Sequence, residues 1–251
     1  MQKDLLRVAL LISGGASTAC RVITDWRAGA LPIDVTCVIS SRSTTKGIEN
    51  VVKAGMPKDK VYLVRTKDHG GANEAFGRAI IDIFDKEGVD IFGQVGWMPT
   101  MPPNVLRQYK GFNQHPVQLD PGRPDFGGKG MHGRAAIDAV RRFTIYAKVE
   151  PVIESTIHFV DEQLDHGRII KTLPMLFSRE ATTEQIQRAL LPREHDNVVA
   201  SLALLAKHHL DREPVLHISR RISTDYRLIR PEHFPLLEQA KQEAIANYPN
   251  G

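Results

Sequence analysis

The chain has 251 residues, 42% of them hydrophobic and 25% charged, with a formal charge of +4; this composition is that of a globular protein and excludes global disorder or a fibrous repeat. Its length predicts one α/β domain with a C-terminal appendage. Two cysteines, Cys20 and Cys37, stand in no CxxC spacing, which argues against a disulfide framework or thiolate zinc site, and the apolar run Val8 to Ile12 is far too short for a membrane span.

Leu6 to Ile12 is short, apolar and β-branched at intervals, and it runs into Ser13-Gly14-Gly15-Ala16-Ser17-Thr18. A buried strand followed by a tight turn is expected there, then a helix over 18–27, with Ser17 or Thr18 as its N-cap. A second strand is expected over 34–40 and a second helix over 44–54, closed by Gly55. A short third strand (61–64), an amphipathic helix (73–87) ended by Gly88 and a fourth strand (90–95) continue the alternation, which predicts a Rossmann-like, mostly parallel sheet with right-handed crossovers.

After Val95 the pattern changes. Residues 96–103 read as a loop, 104–109 as a short helix and Gly111 to Pro116 as a fifth strand stopped by proline. Residues 117–130, with the glycines of Phe126-Gly127-Gly128-Lys129-Gly130, are too irregular for an element and too long for a simple connector, which favours a binding loop. A helix is expected over 131–142, two antiparallel strands over 154–160 and 168–176, and one or two helices over 182–209 with an internal break at Pro192. The tail from Val215 holds a strand-like piece and a helix over 231–247.

Three places have the residue types that chemistry requires. In the turn from Ser13 to Thr18, backbone N–H groups at a helix start could hold an anion, although a plain βα turn explains the same residues. Asn113 and His115 are two apart on a strand and so share a face at its carboxyl end, where open α/β sheets bind ligands; an amide beside an imidazole suits an oxyanion, the plainer alternative being a hydrogen-bonded strand end. Asp165 sits among Asp161, Glu162 and His166, where a carboxylate could orient a histidine, or where an acidic turn could simply be solvated. Lys129 could touch an anion, and His208 and His209 fit helix C-terminal dipole partners better than a metal pair; no metal site is expected.

Taken in order, Leu11-Ile12-Ser13-Gly14-Gly15-Ala16-Ser17, Gly96-Trp97-Met98, Asn113-Gln114-His115-Pro116, and Ser155-Thr156-Ile157-His158-Phe159-Val160 followed by Leu164-Asp165-x-Gly167 resemble the folate-dependent formyltransferases. Within that family the likeness is greatest to the members that formylate glycinamide ribonucleotide. It covers roughly residues 6–210 and implies a formyltransferase domain over 1–210, with 211–251 an extension to which no role is assigned. The resemblance implies that Asn113, His115 and Asp165 are the catalytic trio, acting on 10-formyltetrahydrofolate and an amine substrate. It further implies that Gly14, Gly15, Ala16, Ser17 and Thr18 hold the substrate phosphate and Glu194 the ribose hydroxyls, and that Trp97, Met98, Met101, Val160 and Leu164 line a pterin slot. Ala16-Ser17-Thr18 stands where Gly-Ser-Asn is usual, and an alanine there is expected to hold φ negative. Pro99 replaces an arginine that would meet the folate tail.

The expectation is therefore a cytoplasmic enzyme of purine synthesis with small anionic substrates and no nucleic-acid or membrane partner, its state open between monomer and homodimer. Rival readings keep the fold and change the acceptor to an amino-sugar nucleotide, another amine, or water. The hydrolases that use water carry an N-terminal regulatory domain, which a first strand at residue 6 leaves no room for. A non-catalytic folate- or nucleotide-binding protein is the rival of another class. A dinucleotide dehydrogenase is disfavoured because its glycine fingerprint is missing and Ser40-Ser41-Arg42 offers no acid after the second strand. Scattered Lys and Arg residues disfavour a nucleic-acid binder.

Overall fold

β1 (Leu6–Ile12) is buried at every position but Arg7, so its near-continuous apolar run reads as a strand covered on both faces. In the computed structural model, which describes residues 5–43, 46–211, 229–249 and 251, it is flanked by β2 (Ile33–Ser40) and β4 (Ile91–Gln94). β3 (Val61–Leu63) pairs beyond β2, and β5 (Lys110–His115) pairs beyond β4. All four pairings are parallel, and the order is β3-β2-β1-β4-β5. The chain forms two units, residues 1–114 with 198–218 and residues 115–197 with 219–251; these five strands, up to Gln114, belong to the first.

The helices of the first unit follow from local signals. α1 (Ser17–Arg27) buries Thr18, Ala19, Val22 and Ile23, the spacing of one helical face. α2 (Lys46–Lys53) stops one residue before Ala54, the expected end, and its first two anticipated residues lie outside the described ones. α3 (Glu74–Glu87) starts where the Asn73 side chain accepts from the Phe76 N–H and stops at Gly88, whose φ of 58° completes a left-handed C-cap. α4 (Pro103–Leu106) is a single turn with proline at its start.

The second unit contains α5 (Gly133–Tyr146), the antiparallel pair β6 (Val152–Phe159) and β7 (Ile169–Leu176), the part of α6 (Thr183–Leu210) up to Asn197, and α7 (Phe234–Asn247). Its core joins Val117, Phe126 and Met131 to Ala136, Val140 and Phe143 of α5 and to Leu237, Ala240 and Ala244 of α7. The helix expected in the tail is therefore present, preceded by a turn of 3₁₀ helix over Pro231–His233; the strand-like piece after Val215 lies outside the described residues up to Ile229.

The mostly parallel α/β arrangement with a later antiparallel pair holds, and three local expectations do not. The N-cap of α1 is Ala16, not Ser17 or Thr18; it has φ 61° and ψ 28°, and no side chain caps the helix. The negative φ expected of an alanine is thus overturned: the two-glycine turn delivers the chain to a left-handed residue, and a methyl side chain tolerates this at roughly 1–2 kcal/mol. Pro192 does not break α6, which is one 28-residue helix. Burial of Ile186 and Leu190 before the proline and of Val198 and Leu202 after it, at about 1.5–3 kcal/mol each, outweighs the roughly 3 kcal/mol that an internal proline costs.

Candidate active site

In the first unit the strand order reverses between β1 and β4, and ligands of open α/β sheets bind outside the carboxyl ends of strands at such a point. The loops leaving these two strands are tied together there. The Ser13 N–H donates to the Gly96 carbonyl at 2.9 Å, and the Met98 N–H donates to Ser13 Oγ at 2.9 Å. Ser13 Oγ also meets Ser41 Oγ at 2.6 Å, so this hydroxyl braces the turn. Gly14 and Gly15 are exposed and Ala16 and Thr18 buried. α2 presses close: a Cβ on Gly47 would fall 2.2 Å from the Gly14 carbonyl oxygen, which explains a glycine inside that helix. The Asn50 side chain donates to the Gly15 carbonyl at 3.0 Å. The result is a braced turn with no side-chain cap on the first N–H groups of α1.

Of the residues expected to line a pterin slot, Trp97 and Met101 are buried in the first unit, Trp97 with its ring 6.1 Å from Phe76 and nearly parallel to it. Met98, by contrast, is 46% exposed. In the second unit Leu164 is exposed and Val160, just past the end of β6, half-buried. Glu194 is buried on α6. Asn113 is half-buried near the end of β5, and its backbone pairs with Gln94 of β4.

His115, the last residue of β5, is buried in the second unit together with Asp165, and Nε2 of the imidazole lies 3.7 Å from Asp165 Oδ2. Its Nδ1 lies 3.2 Å from the Val117 carbonyl and its Nε2 3.0 Å from the Met131 carbonyl. Both ring nitrogens thus face carbonyl oxygens. Asp165 is held in turn by the Gly128 N–H, which donates to Oδ2 at 3.0 Å.

The sequence Leu164-Asp165-x-Gly167 has a structural cause. Asp165 has φ 60°, a left-handed conformation that aspartate tolerates better than most residues, and this turns its carboxylate inward. Two residues on, Gly167 packs so tightly against the end of β6 that a Cβ would sit 1.6 Å from the Phe159 carbonyl oxygen.

A second histidine, inside the Ser155–Val160 stretch and not among the residues expected at the site, completes the group. His158 is buried, its Nδ1 lies 2.9 Å from the Phe159 carbonyl, and its Nε2 lies 3.8 Å from Asp165 Oδ1. Burial drives its pKa down to about 4, against the opposing attraction of Asp165, so it is neutral at physiological pH with its proton on Nδ1. One carboxylate therefore stands between two imidazoles. β6 buries Glu154, Ser155 and Thr156 as well as His158, so no sequence signal set this histidine apart from its polar neighbours. Asp125, also buried, accepts from the Asp120 and Gly127 N–H groups at 2.7 and 2.8 Å. Burial pushes its pKa up, partly offset by the Gly127 bond.

Residues 6–202 match the family described as formyl transferase. The chain belongs to the formyl transferase family. Among relatives of known sequence, the chloroplastic phosphoribosylglycinamide formyltransferase of Vigna unguiculata is 29% identical over 215 residues, covering 81% of this chain. The chain spans only 62% of that plant protein's length. Among solved structures, glycinamide ribonucleotide transformylase 1 from Symbiobacterium toebii superimposes with a TM-score of 0.69 at 25% identity, covering 82% of this chain and 90% of that one. Phosphoribosylglycinamide formyltransferase from Bacillus halodurans gives 0.67 at 29% identity, with 79% and 94% covered. The formyl transferase match takes in the turn after β1, the end of β5 and the Asp165 loop, and it stops short of α7.

Proposed function

We propose that the protein transfers the formyl group of 10-formyltetrahydrofolate to the amine of glycinamide ribonucleotide, a step of purine synthesis. The observation that carries this reading is the buried His115–Asp165 pair at the carboxyl end of β5, in a chain of the formyl transferase family.

The amine attacks the formyl carbon, and the carbonyl oxygen becomes an oxyanion. Asn113 and His115 donate to it, each well-placed donor being worth about 3 kcal/mol. For His115 to do so, one of its carbonyl bonds is exchanged for the substrate, and the 3.2 Å bond to Val117 is the longer of the two. Collapse breaks the bond from the formyl carbon to N10 of the folate; the attacking nitrogen loses a proton and N10 gains one. Asp165 keeps the imidazole oriented and supports this relay, while His158, its pKa driven down by burial, adds no competing positive charge. The turn from Gly14 to Thr18 takes the phosphate, and Glu194 takes the ribose hydroxyls. Trp97, Met98, Met101, Val160 and Leu164 are assigned to the pterin, with Met98 and Leu164 the exposed apolar members. This reading keeps 1–210 as the formyltransferase domain and places the enzyme in the cytoplasm; its two cysteines are both free, and among the described residues no helix is long and apolar enough to cross a membrane.

The test is to supply 10-formyltetrahydrofolate and glycinamide ribonucleotide and follow folate consumption by absorbance. Turnover that His115→Ala abolishes is expected; turnover indifferent to that change refutes the assignment of the trio. Turnover with a different amine keeps the chemistry and changes the acceptor, as Ala16 and Thr18 in the phosphate turn allow. Formate release without an amine indicates a hydrolase, and tight folate binding without turnover a binding protein.

A further inference from the structure

α7, beyond the residues matched by the family, reaches back to the loop that holds Asp165. Lys241 Nζ donates to two carbonyl oxygens of that loop, those of Asp125 and Gly127, each at 3.0 Å. The next residue, Gly128, is the one whose N–H donates to Asp165 Oδ2. The segment between is tightly constrained. Phe126 is buried against Phe143, with ring centroids 5.5 Å apart in an edge-on arrangement. A Cβ on Gly127 would lie 2.9 Å from that of Asp165, and one on Gly130 would lie 3.1 Å from Ile245 of α7.

α7 is itself anchored firmly enough to act as a fixed support. Leu237, Ala240 and Ala244 are buried in the second unit's core. Glu243 accepts from Arg142 and from the Tyr146 hydroxyl at 2.6 Å each, and Arg142 is held by Asp138, also at 2.6 Å. An ammonium with three donors can bridge two carbonyls that a glycine-rich loop would otherwise leave to water.

We propose that Lys241 is a positioning residue: it clamps the 125–127 backbone from α7 so that the Gly128 N–H points at Asp165 and fixes the carboxylate beside His115. The C-terminal helix thereby becomes part of the machinery. The catalytic consequence rests on the formyl transfer proposed above; the clamp does not.

The experiment compares Lys241→Met, which keeps the apolar stem and removes the donors, with Lys241→Arg, whose fork can bridge two carbonyls. In the ¹⁵N-labelled full chain, the Gly128 amide proton is expected to move upfield in Lys241→Met and to return in Lys241→Arg. With 10-formyltetrahydrofolate and glycinamide ribonucleotide, Lys241→Met should lower kcat about tenfold or more with both KM values within about twofold, since misplacement of a catalytic group acts on the chemical step; Lys241→Arg should restore most of the loss. A Gly128 amide unmoved in a folded Lys241→Met protein overturns the clamp, as does a kcat loss that Lys241→Arg fails to recover. Should Lys241→Met not fold, Lys241→Gln, too short to reach both carbonyls, takes its place, and failure of both to fold shows a structural residue and overturns the proposal. An absence of turnover in the parent protein sinks the formyl-transfer reading alone, because the amide shift still reports on the clamp.

Discussion

Gly167→Ala is the most severe single-methyl change the Asp165 loop offers. The added carbon would stand 1.6 Å from the Phe159 carbonyl oxygen and 2.7 Å from its carbon, whereas ordinary contact begins near 3.4 Å. Both partners are backbone, so no side chain can swing aside, and the chain must shift by roughly 2 Å. The Phe159 N–H bond to the Arg168 carbonyl, 2.8 Å long, joins the same two segments and resists that shift. Forced overpacking of this kind costs about 1–3 kcal/mol, occasionally more, which for a chain of this size lowers Tm by roughly 3–10 °C. Asp165 is two residues away, and a displacement of about 1 Å at a catalytic group can cost about 100-fold in rate. Thermal unfolding by circular dichroism and kcat/KM for formyl transfer are the measurements. A Gly167→Ala protein whose Tm and kcat/KM both stay at parental values would show that the close approach at Phe159 does not hold the loop, and the reasoning would fail.

Two further outcomes follow from the same geometry. In Gly47→Ala the new Cβ meets the Gly14 carbonyl oxygen at 2.2 Å and must push the turn after β1 outward; KM for glycinamide ribonucleotide should rise several-fold with kcat little changed, and an unaltered KM would remove the turn from phosphate binding. His158 has a folded pKa depressed to about 4 from 6.5, so between these values the unfolded chain binds a proton that the folded one refuses. Its contribution makes stability fall as pH drops from about 6.5 to about 4 and level off below, by a few kcal/mol at most. Urea midpoints across that window should decline less steeply in His158→Gln than in the parent, and parallel declines would contradict a buried neutral imidazole.

Much of this architecture could be read from the residues because the signals were local. The apolar run of β1, the amphipathic spacing of α3 and the Gly88 stop fix their elements within a residue or so. The spacing of Asn113 and His115 located a strand end before any strand order was known. His158 escaped notice because alternation treats a buried strand histidine as one more inward position, and only its 3.8 Å approach to Asp165 shows what it faces. Lys241 escaped for a different reason. It is one of the chain's 33 basic residues, and its partners are carbonyl groups more than a hundred positions away, which leave no trace in side-chain pattern.

Ala16 and Asp165 show why a motif can be recognised without its physics being foreseen. Both are non-glycine residues held near φ 60°, and both sit where a chain must turn abruptly to present functional groups, N–H groups in one case and a carboxylate in the other. A left-handed L-residue costs on the order of 1–2 kcal/mol and persists only where its surroundings over-determine it. At Ala16 the surroundings are the Ser13 bonds to the β4 loop and the approach of Gly47; at Asp165 they are the Gly128 N–H and the Gly167 contact. In each case the constraint comes from a glycine elsewhere that lets backbone come close, and the strained residue itself is free to be chosen for its side chain. That division of labour lets aspartate stand in the Asp165 loop and alanine in the turn after β1. Composition at the strained position is therefore a poor guide to its conformation, and the paired glycine is the better one.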